Sequence, residues 1–76
     1  MEWKRWRHCW QLFKDGKKIG VVTCVPWRKG TSQFFSFLKG KRITPYEYER
    51  FYMTDEGGWS SLWRAKRVLE MEAEVL

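Results

Sequence analysis

The chain has 76 residues and a net charge of +6, and its aromatic residues comprise six Trp, five Phe and three Tyr. This length predicts one domain over residues 1–76, and the aromatic content suffices for a core without disulfides or metal. Neither of the longest uncharged stretches, residues 19–27 and 30–38, reaches the roughly 20 residues of a transmembrane helix. An export signal requires an apolar segment after the N-terminal charges, and this sequence has none there. The sequence therefore predicts a cytoplasmic protein whose two cysteines are free thiols.

Charge is unevenly distributed along the chain. Residues 1–42 contain eleven Lys and Arg against two acidic residues, whereas residues 43–76 contain four against seven. A surface that is basic on one side attracts polyanions and accelerates encounters with them. The first part of the chain is therefore a candidate for binding an anionic partner.

The first predicted element is a β-hairpin over residues 3–25, centred on Asp15-Gly16. Asp-Gly between apolar segments is the strongest short hairpin signal, because both central residues of the turn need a positive φ. With a two-residue loop, the numbers of facing residues sum to 31. A core face then contains Trp6, His8, Trp10, Leu12, Ile19, Val21, Thr23 and Val25. The opposite, basic face contains Arg5, Arg7, Cys9, Gln11, Phe13, Lys18, Val22 and Cys24.

Residues 3–13 also fit a helix, because Trp3, Trp6, Trp10 and Phe13 recur at helical spacing. The alternation of Trp with Arg and the tight turn that follows favour the strand. In the helical alternative, the basic and aromatic start of the chain would suit an anionic membrane surface. The secondary structure of this segment therefore separates two classes of partner.

Two further strands are predicted, over residues 33–38 and 46–53. The first is short and aromatic, and the second alternates Tyr and Arg with Glu, Phe and Met. Pro26 and Pro45 mark strand boundaries, and basic loops lie between the strands. Neither face of the last strand is simply apolar, so we expect it at an edge of the sheet. There it could pair with a second copy to make a dimer.

A C-terminal helix is predicted over residues 60–75. A serine at 60 or 61 provides the N-cap, and apolar residues recur every three or four positions. This stripe contains Leu62, Ala65, Val68, Leu69, Met71, Ala73, Val75 and Leu76. The predicted fold class is thus α+β: a small antiparallel sheet of three or four strands with one C-terminal helix packed on a face.

The charges of this helix oppose its macrodipole. Arg64, Lys66 and Arg67 lie early and three glutamates lie late, although the dipole favours the reverse order by about 0.3–1 kcal/mol per well-placed charge. A cationic helix start suits a phosphate or carboxylate, which makes Arg64 and Arg67 a candidate anion site. The alternative is a solvated face without a ligand.

The sequence favours binding over catalysis, and we predict that the protein is not an enzyme. The single histidine, His8, is predicted on the opposite face from Cys9, so the two cannot form a catalytic pair. A structural zinc site needs four ligands, whereas His8, Cys9 and Cys24 provide three at most, and we predict no metal or cofactor. In the two-residue-turn register the cysteines are diagonal, about 7–8 Å apart and too far for a disulfide. A four-residue turn would instead place them directly opposite each other.

Basic residues interleaved with aromatic ones predict nucleic acid as the partner. Lys and Arg neutralise phosphates, and aromatic rings stack on bases. This pattern does not distinguish DNA from RNA. The predicted contacts are Arg5, Arg7, Lys18, Arg28, Lys29, Lys41 and Arg42.

The order of elements resembles known modules. A basic, aromatic sheet followed by a helix with the run Trp63-Arg64-Ala65-Lys66-Arg67 is similar to the arm-binding domains of phage integrases. That resemblance implies DNA recognition by the sheet. In size and layout, the chain also resembles small phage-encoded proteins, anti-CRISPR proteins among them, that block host machinery by binding proteins.

The second resemblance implies the alternative function, a phage-type inhibitor or adaptor. Such a protein would bind another protein, for example in a nucleic-acid-processing complex, through Trp, Tyr and Arg, which dominate binding hot spots. The candidate anchors are Trp27, Tyr46, Tyr48 and Arg50. Burial of most of the side chains of Trp3, Trp6, Trp27 and Trp59 would favour nucleic acid, whereas two or more Trp side chains exposed beside Tyr46 and Tyr48 would favour a protein partner.

Overall fold

The computed structural model describes residues 1–43 and 52–75. Each strand pairs antiparallel with the next one along the chain, and the helix follows the sheet. The elements are β1 (Glu2–Trp6), β2 (Cys9–Lys14), β3 (Lys17–Pro26), β4 (Ser32–Leu38), β5 (Lys41–Arg42) and α1 (Leu62–Glu74). The predicted α+β class with an antiparallel sheet and a C-terminal helix is confirmed, but the predicted number of three or four strands is wrong, because the sheet has five.

Three tight turns connect these strands. Asp15 and Gly16 have φ values of 53° and 78°, and Lys39 and Gly40 have φ values of 50° and 81°. Both pairs therefore have the two positive φ angles of a type I′ hairpin turn. The third turn reverses the chain after Trp6, so residues 3–13 form two strands instead of the one strand predicted. Residues 3–6 and 9–13 are extended, so the amphipathic helix considered as the alternative is not formed there.

The turn after Trp6 also reverses the facing of β1. Trp6 pairs with Cys9, and Trp3 pairs with Leu12. Trp3 therefore faces the core, whereas Trp6 points to the other side and is 56% exposed. His8 lies in the turn and is exposed, which contradicts its predicted core-facing position, because that position assumed an unbroken strand.

A β-bulge shifts the register of the predicted hairpin. Phe13 pairs with Lys18 as expected, but Leu12 pairs with Gly20 instead of Ile19. One extra residue in a strand moves every later side chain of that strand to the opposite face of the sheet. In β3, Val22 therefore lies in the core and Val21 on the opposite face, which is the reverse of the prediction.

Gly20 shows why the bulge fits this fold. An added Cβ would lie 2.9 Å from the Phe37 carbonyl oxygen and 3.0 Å from Leu69 Cδ2 of the helix. The shifted register thus places Gly20, which has no side chain, at a close contact between the sheet and α1.

Helix α1 packs mainly against β3 and β4. Ser61 is its N-cap, with the Arg64 amide donating to Ser61 Oγ at 3.4 Å. Ser36 of β4 is fully buried and donates its hydroxyl to the Ala65 carbonyl oxygen at 2.8 Å. The core between helix and sheet consists of Leu12, Val22, Leu38, Trp59, Ala65, Val68, Leu69 and Ala73.

The segment before the helix continues the sheet locally. Trp59 and Phe34 exchange two backbone hydrogen bonds of 2.7 and 2.8 Å, and the Trp59 side chain is 2% exposed. Of the strand predicted over residues 46–53, only Tyr52 and Met53 lie within the described residues, so the proposed dimer through that strand lies outside them. Within residues 1–43 and 52–75, no helix has the length and apolar character needed to cross a membrane.

Candidate nucleic-acid interface

The sheet face opposite α1, here called the open face, combines aromatic and basic side chains. Strand pairing defines its members, because residues paired across antiparallel strands share a face. Glu2, at the margin, is the single acidic residue that the described strands contribute to it. The open face carries Lys4, Trp6, Cys9, Gln11, Phe13, Lys18, Val21, Thr23, Val25, Phe35, Phe37 and Arg42.

Two cations that belong to the strands lie over aromatic rings of the open face. Lys4 Nζ is 4.8 Å from the centre of the Phe13 ring, and Arg42 Cζ is 4.4 Å from the centre of the Phe35 ring. The guanidinium of Arg42 also donates to the Gly57 carbonyl oxygen. Both rings are half-buried, and the cation lies over part of each ring, so only the remaining ring surface is accessible beside a positive charge. Stacking on bases and neutralisation of phosphates need this combination.

One corner of the open face is covered by residues 54–58. Gly58 lies against Gln33 and the Phe35 ring, and the buried Gln33 amide donates to Glu56. Thr54 links the two segments, since its hydroxyl donates to Gln33 Oε1 at 2.6 Å and accepts from the Gly58 amide at 2.9 Å. This network holds the loop, and with it the carbonyl that Arg42 contacts.

A depression of about 290 Å³ lies where the open face meets the turn between β4 and β5. Its floor is apolar and its rim carries two lysines. The lining residues are Lys18, Ile19, Gly20, Val21, Phe37, Lys39 and Gly40. A planar apolar group could enter this depression while an attached anion contacted the lysines.

The opposite end of the sheet carries a second basic group. Arg28 lies over the Trp27 ring at 4.5 Å, and its Nη2 is 3.8 Å from Asp55 Oδ2. Asp55 Oδ1 also accepts a hydrogen bond from Trp27 Nε1 at 2.5 Å. Arg7, in the turn at the same end, lies over the Trp6 ring at 4.9 Å. These side chains extend the positive charge beyond the strands.

The structure divides the seven predicted nucleic-acid contacts among three places. Lys18 and Arg42 lie on the open face. Arg7, Arg28 and Lys29 lie in loops at one end of the sheet, and all are exposed. The other two contacts, Arg5 and Lys41, are paired with Trp10 and Leu38 on the helix side. The single basic face predicted for the first hairpin is therefore not formed, because the turn after Trp6 reverses β1.

The other candidate sites are also distributed. Arg64 lies over the Tyr52 ring at 3.5 Å, and Arg67 is exposed one turn further along α1. Trp27 is half-buried, with its indole N–H bonded to Asp55. The remaining anchors, Tyr46, Tyr48 and Arg50, lie outside the described residues.

Lys4, Phe35 and Phe37 were not among the contacts predicted from the sequence. The run QFFSFL carried a usable signal, because alternation places Phe35 and Phe37 on one face. Their facing depends on the register of β3 with β4, which the sequence did not define.

The two cysteines lie on opposite faces of the sheet. Cys9 pairs with Thr23 on the open face, so Cys24 points to the helix side, where it pairs with Phe34. Both are free thiols. The diagonal arrangement predicted from the unbulged register is wrong. The described residues also contain no group of three His, Cys, Asp or Glu side chains that could hold a metal ion.

Comparisons of the chain with known protein families, with curated proteins and with solved structures found no match.

Proposed function

We propose that the protein binds single-stranded nucleic acid, DNA or RNA, on the open face of its sheet, without catalysing a reaction. The observation that carries the proposal is the pairing of half-exposed aromatic rings with cations, Phe13 with Lys4 and Phe35 with Arg42. Unpaired bases offer ring faces for stacking, while their phosphates interact with Lys and Arg. A duplex hides its base faces, so this surface suits a single strand.

The dimensions of the open face fit a short site. Five strands span four inter-strand spacings, or about 19 Å. This width is comparable to the smaller single-stranded sites, which hold about four nucleotides. Lys18 and the depression lie towards one end of the face, and Arg7, Arg28 and Lys29 at the other, so cations are available along its length.

The test is a salt titration of binding to mixed-sequence single-stranded and duplex oligonucleotides. We expect the single strands to bind more tightly, with an affinity that falls as salt rises by about 0.7 log units per decade for each phosphate contact. Equal or tighter binding of duplex would overturn the single-strand assignment, and absence of binding at low salt would overturn the proposed function.

A pair of charge-matched variants locates the site. The double variant Lys4→Gln/Lys18→Gln removes two charges from the open face, whereas Arg5→Gln/Lys41→Gln removes two from the helix side. We expect the first variant to bind more weakly and with a shallower salt dependence, and the second to bind nearly as well as the unchanged chain. Equal losses would show that net charge, and not this face, determines affinity.

The alternative is a protein-binding inhibitor or adaptor. The exposed fractions of Trp6 and Trp63, 56% and 66%, favour it, because Trp is one of the residue types enriched in the hot spots of protein interfaces. Trp59 is buried, and Trp3 and Trp27 are half-buried, which favours nucleic acid. A chain that failed to bind oligonucleotides at low salt would direct attention to this alternative.

A further inference from the structure

The solvent face of α1 carries a stripe of large apolar and charged side chains. Trp63 is 66% exposed and Met71 is 38% exposed. Residues three and four apart on a helix are neighbours, and this stripe lies opposite the buried Ala65, Val68, Leu69 and Ala73. The stripe, here called the outer face of α1, consists of the exposed residues Trp63, Arg67, Met71 and Glu74.

Charge is segregated along this helix. Its first turn contains no acidic residue and its last turn no basic residue, so Arg67 lies towards one end of the outer face and Glu74 at the other. In a single helix this order opposes the macrodipole. In an antiparallel pair of such helices, however, the basic half of each helix faces the acidic half of the other. The two macrodipoles also point in opposite directions, which is the favourable arrangement for neighbouring dipoles.

We propose that the outer face of α1 is an interface between two copies of this chain, with the two helices antiparallel about a two-fold axis. With the two-fold axis midway between residues 70 and 71, the Met71 side chains of the two copies meet near the centre, and Trp63 of each copy lies beside the C-terminal end of the other helix. Arg67 of each copy then lies beside Glu74 of the second copy, and a two-fold interface repeats every such contact. Trp, Met and Arg are the residue types enriched at interfaces.

The expected dimer is weak and salt-sensitive. Thirteen residues of helix are about 20 Å long, so the interface is smaller than the roughly 1,200–2,000 Å² of standard stable complexes. Because the open face is on the other side of the sheet from α1, dimerisation leaves it accessible in both copies. The dimer therefore does not depend on the proposed function.

The experiment is sedimentation velocity of the full chain over a micromolar to submillimolar range, at low and high salt. We expect a reversible monomer–dimer equilibrium that shifts to monomer as salt rises. A chain that remains monomeric over the whole range at low salt would overturn the proposal.

Charge-reversal variants test the antiparallel geometry. Arg67→Glu alone and Glu74→Arg alone each place like charges together twice in a dimer, and we expect dissociation constants at least about tenfold higher. An equimolar mixture of the two variants restores both opposite-charge contacts, so the mixture should dimerise as the unchanged chain does. Circular dichroism shows that each variant is folded. Unweakened single variants, or a mixture that stays monomeric, would contradict the proposed packing.

Discussion

Lys14 Nζ donates a hydrogen bond to the Ala73 carbonyl oxygen at 3.4 Å, which joins the end of β2 to the end of α1. The last turn of this helix contains no basic residue, and glutamates occupy positions 70, 72 and 74. A cation near the last carbonyls stabilises a helix C-terminus. The sheet thus supplies the charge that the helix sequence lacks.

Replacing Lys14 by Met should lower the free energy of unfolding by about 0.3–1 kcal/mol, because the aliphatic stem is kept while the charge at the helix end is lost. Urea denaturation measures the change, and its size should shrink at high salt. The control is Lys17→Met, which replaces an exposed lysine at the start of β3. It should have a smaller effect on the free energy of unfolding. An equal loss in both variants would show that Lys14 does not act through the helix end.

Thr54→Val should destabilise the protein although it preserves shape. The hydroxyl of Thr54 is bonded to Gln33 Oε1 and to the Gly58 amide, and both Thr54 and Gln33 are buried. Leaving buried partners unpaired costs about 1–3 kcal/mol. Urea denaturation should show this loss, whereas the control Thr23→Val, on the half-buried open face, should be close to neutral. A neutral Thr54→Val would mean that water replaces the hydroxyl.

The parts of the fold that depend on local chemistry could be predicted from the sequence. Asp15-Gly16 favours two positive φ angles, and α1 follows a serine cap and an apolar stripe. The register could not be predicted, because it depends on packing between distant residues. Gly20 takes its place in the sheet since Leu69, 49 positions later in the sequence, approaches it.

The candidate site was harder to predict than the fold, because a side chain's facing has a period of two along a strand. The turn after Trp6 has no clear sequence signal, and neither has the bulge before Gly20. Each of them moves the side chains of a strand to the face opposite the one predicted. Arg5, predicted on the basic face, therefore lies on the helix side, and its neighbour Lys4 lies on the open face. The residue types of the basic and aromatic surface were recognisable, but which of them share a face was not.

The turn after Trp6 predicts a difference between two variants of Arg7. Arg7 has a φ of 56°, a conformation that costs an L-residue other than glycine about 1–2 kcal/mol. Arg7→Gly and Arg7→Ala lose the same charge and the same contact with the Trp6 ring, so they differ in this strain. We expect the Gly variant to be more stable by about 1 kcal/mol in urea denaturation. Equal stabilities would indicate that the turn rearranges in the Ala variant.

Asp55 gives a prediction in the direction of tighter binding. Its carboxylate lies 3.8 Å from Arg28 Nη2 and competes with a phosphate for that guanidinium. Asp55→Asn removes the charge and keeps an oxygen that can accept from Trp27 Nε1. Because unit charges about 4 Å apart in water interact by about 1 kcal/mol, affinity for a single-stranded oligonucleotide should rise by up to about fivefold at low salt.

The stability of the Asp55→Asn variant should change little, since the Arg28–Asp55 pair is exposed and such pairs contribute about 0–1 kcal/mol. The gain in affinity should disappear at high salt, because it is electrostatic. Glu74→Gln removes an equal charge from the outer face of α1 and is the matched control when both variants are measured at protein concentrations below the micromolar range in which the proposed dimer forms. If both variants bind equally more tightly, only net charge matters. If Asp55→Asn binds no more tightly than the unchanged chain, Arg28 does not contact the strand and the site ends short of this loop.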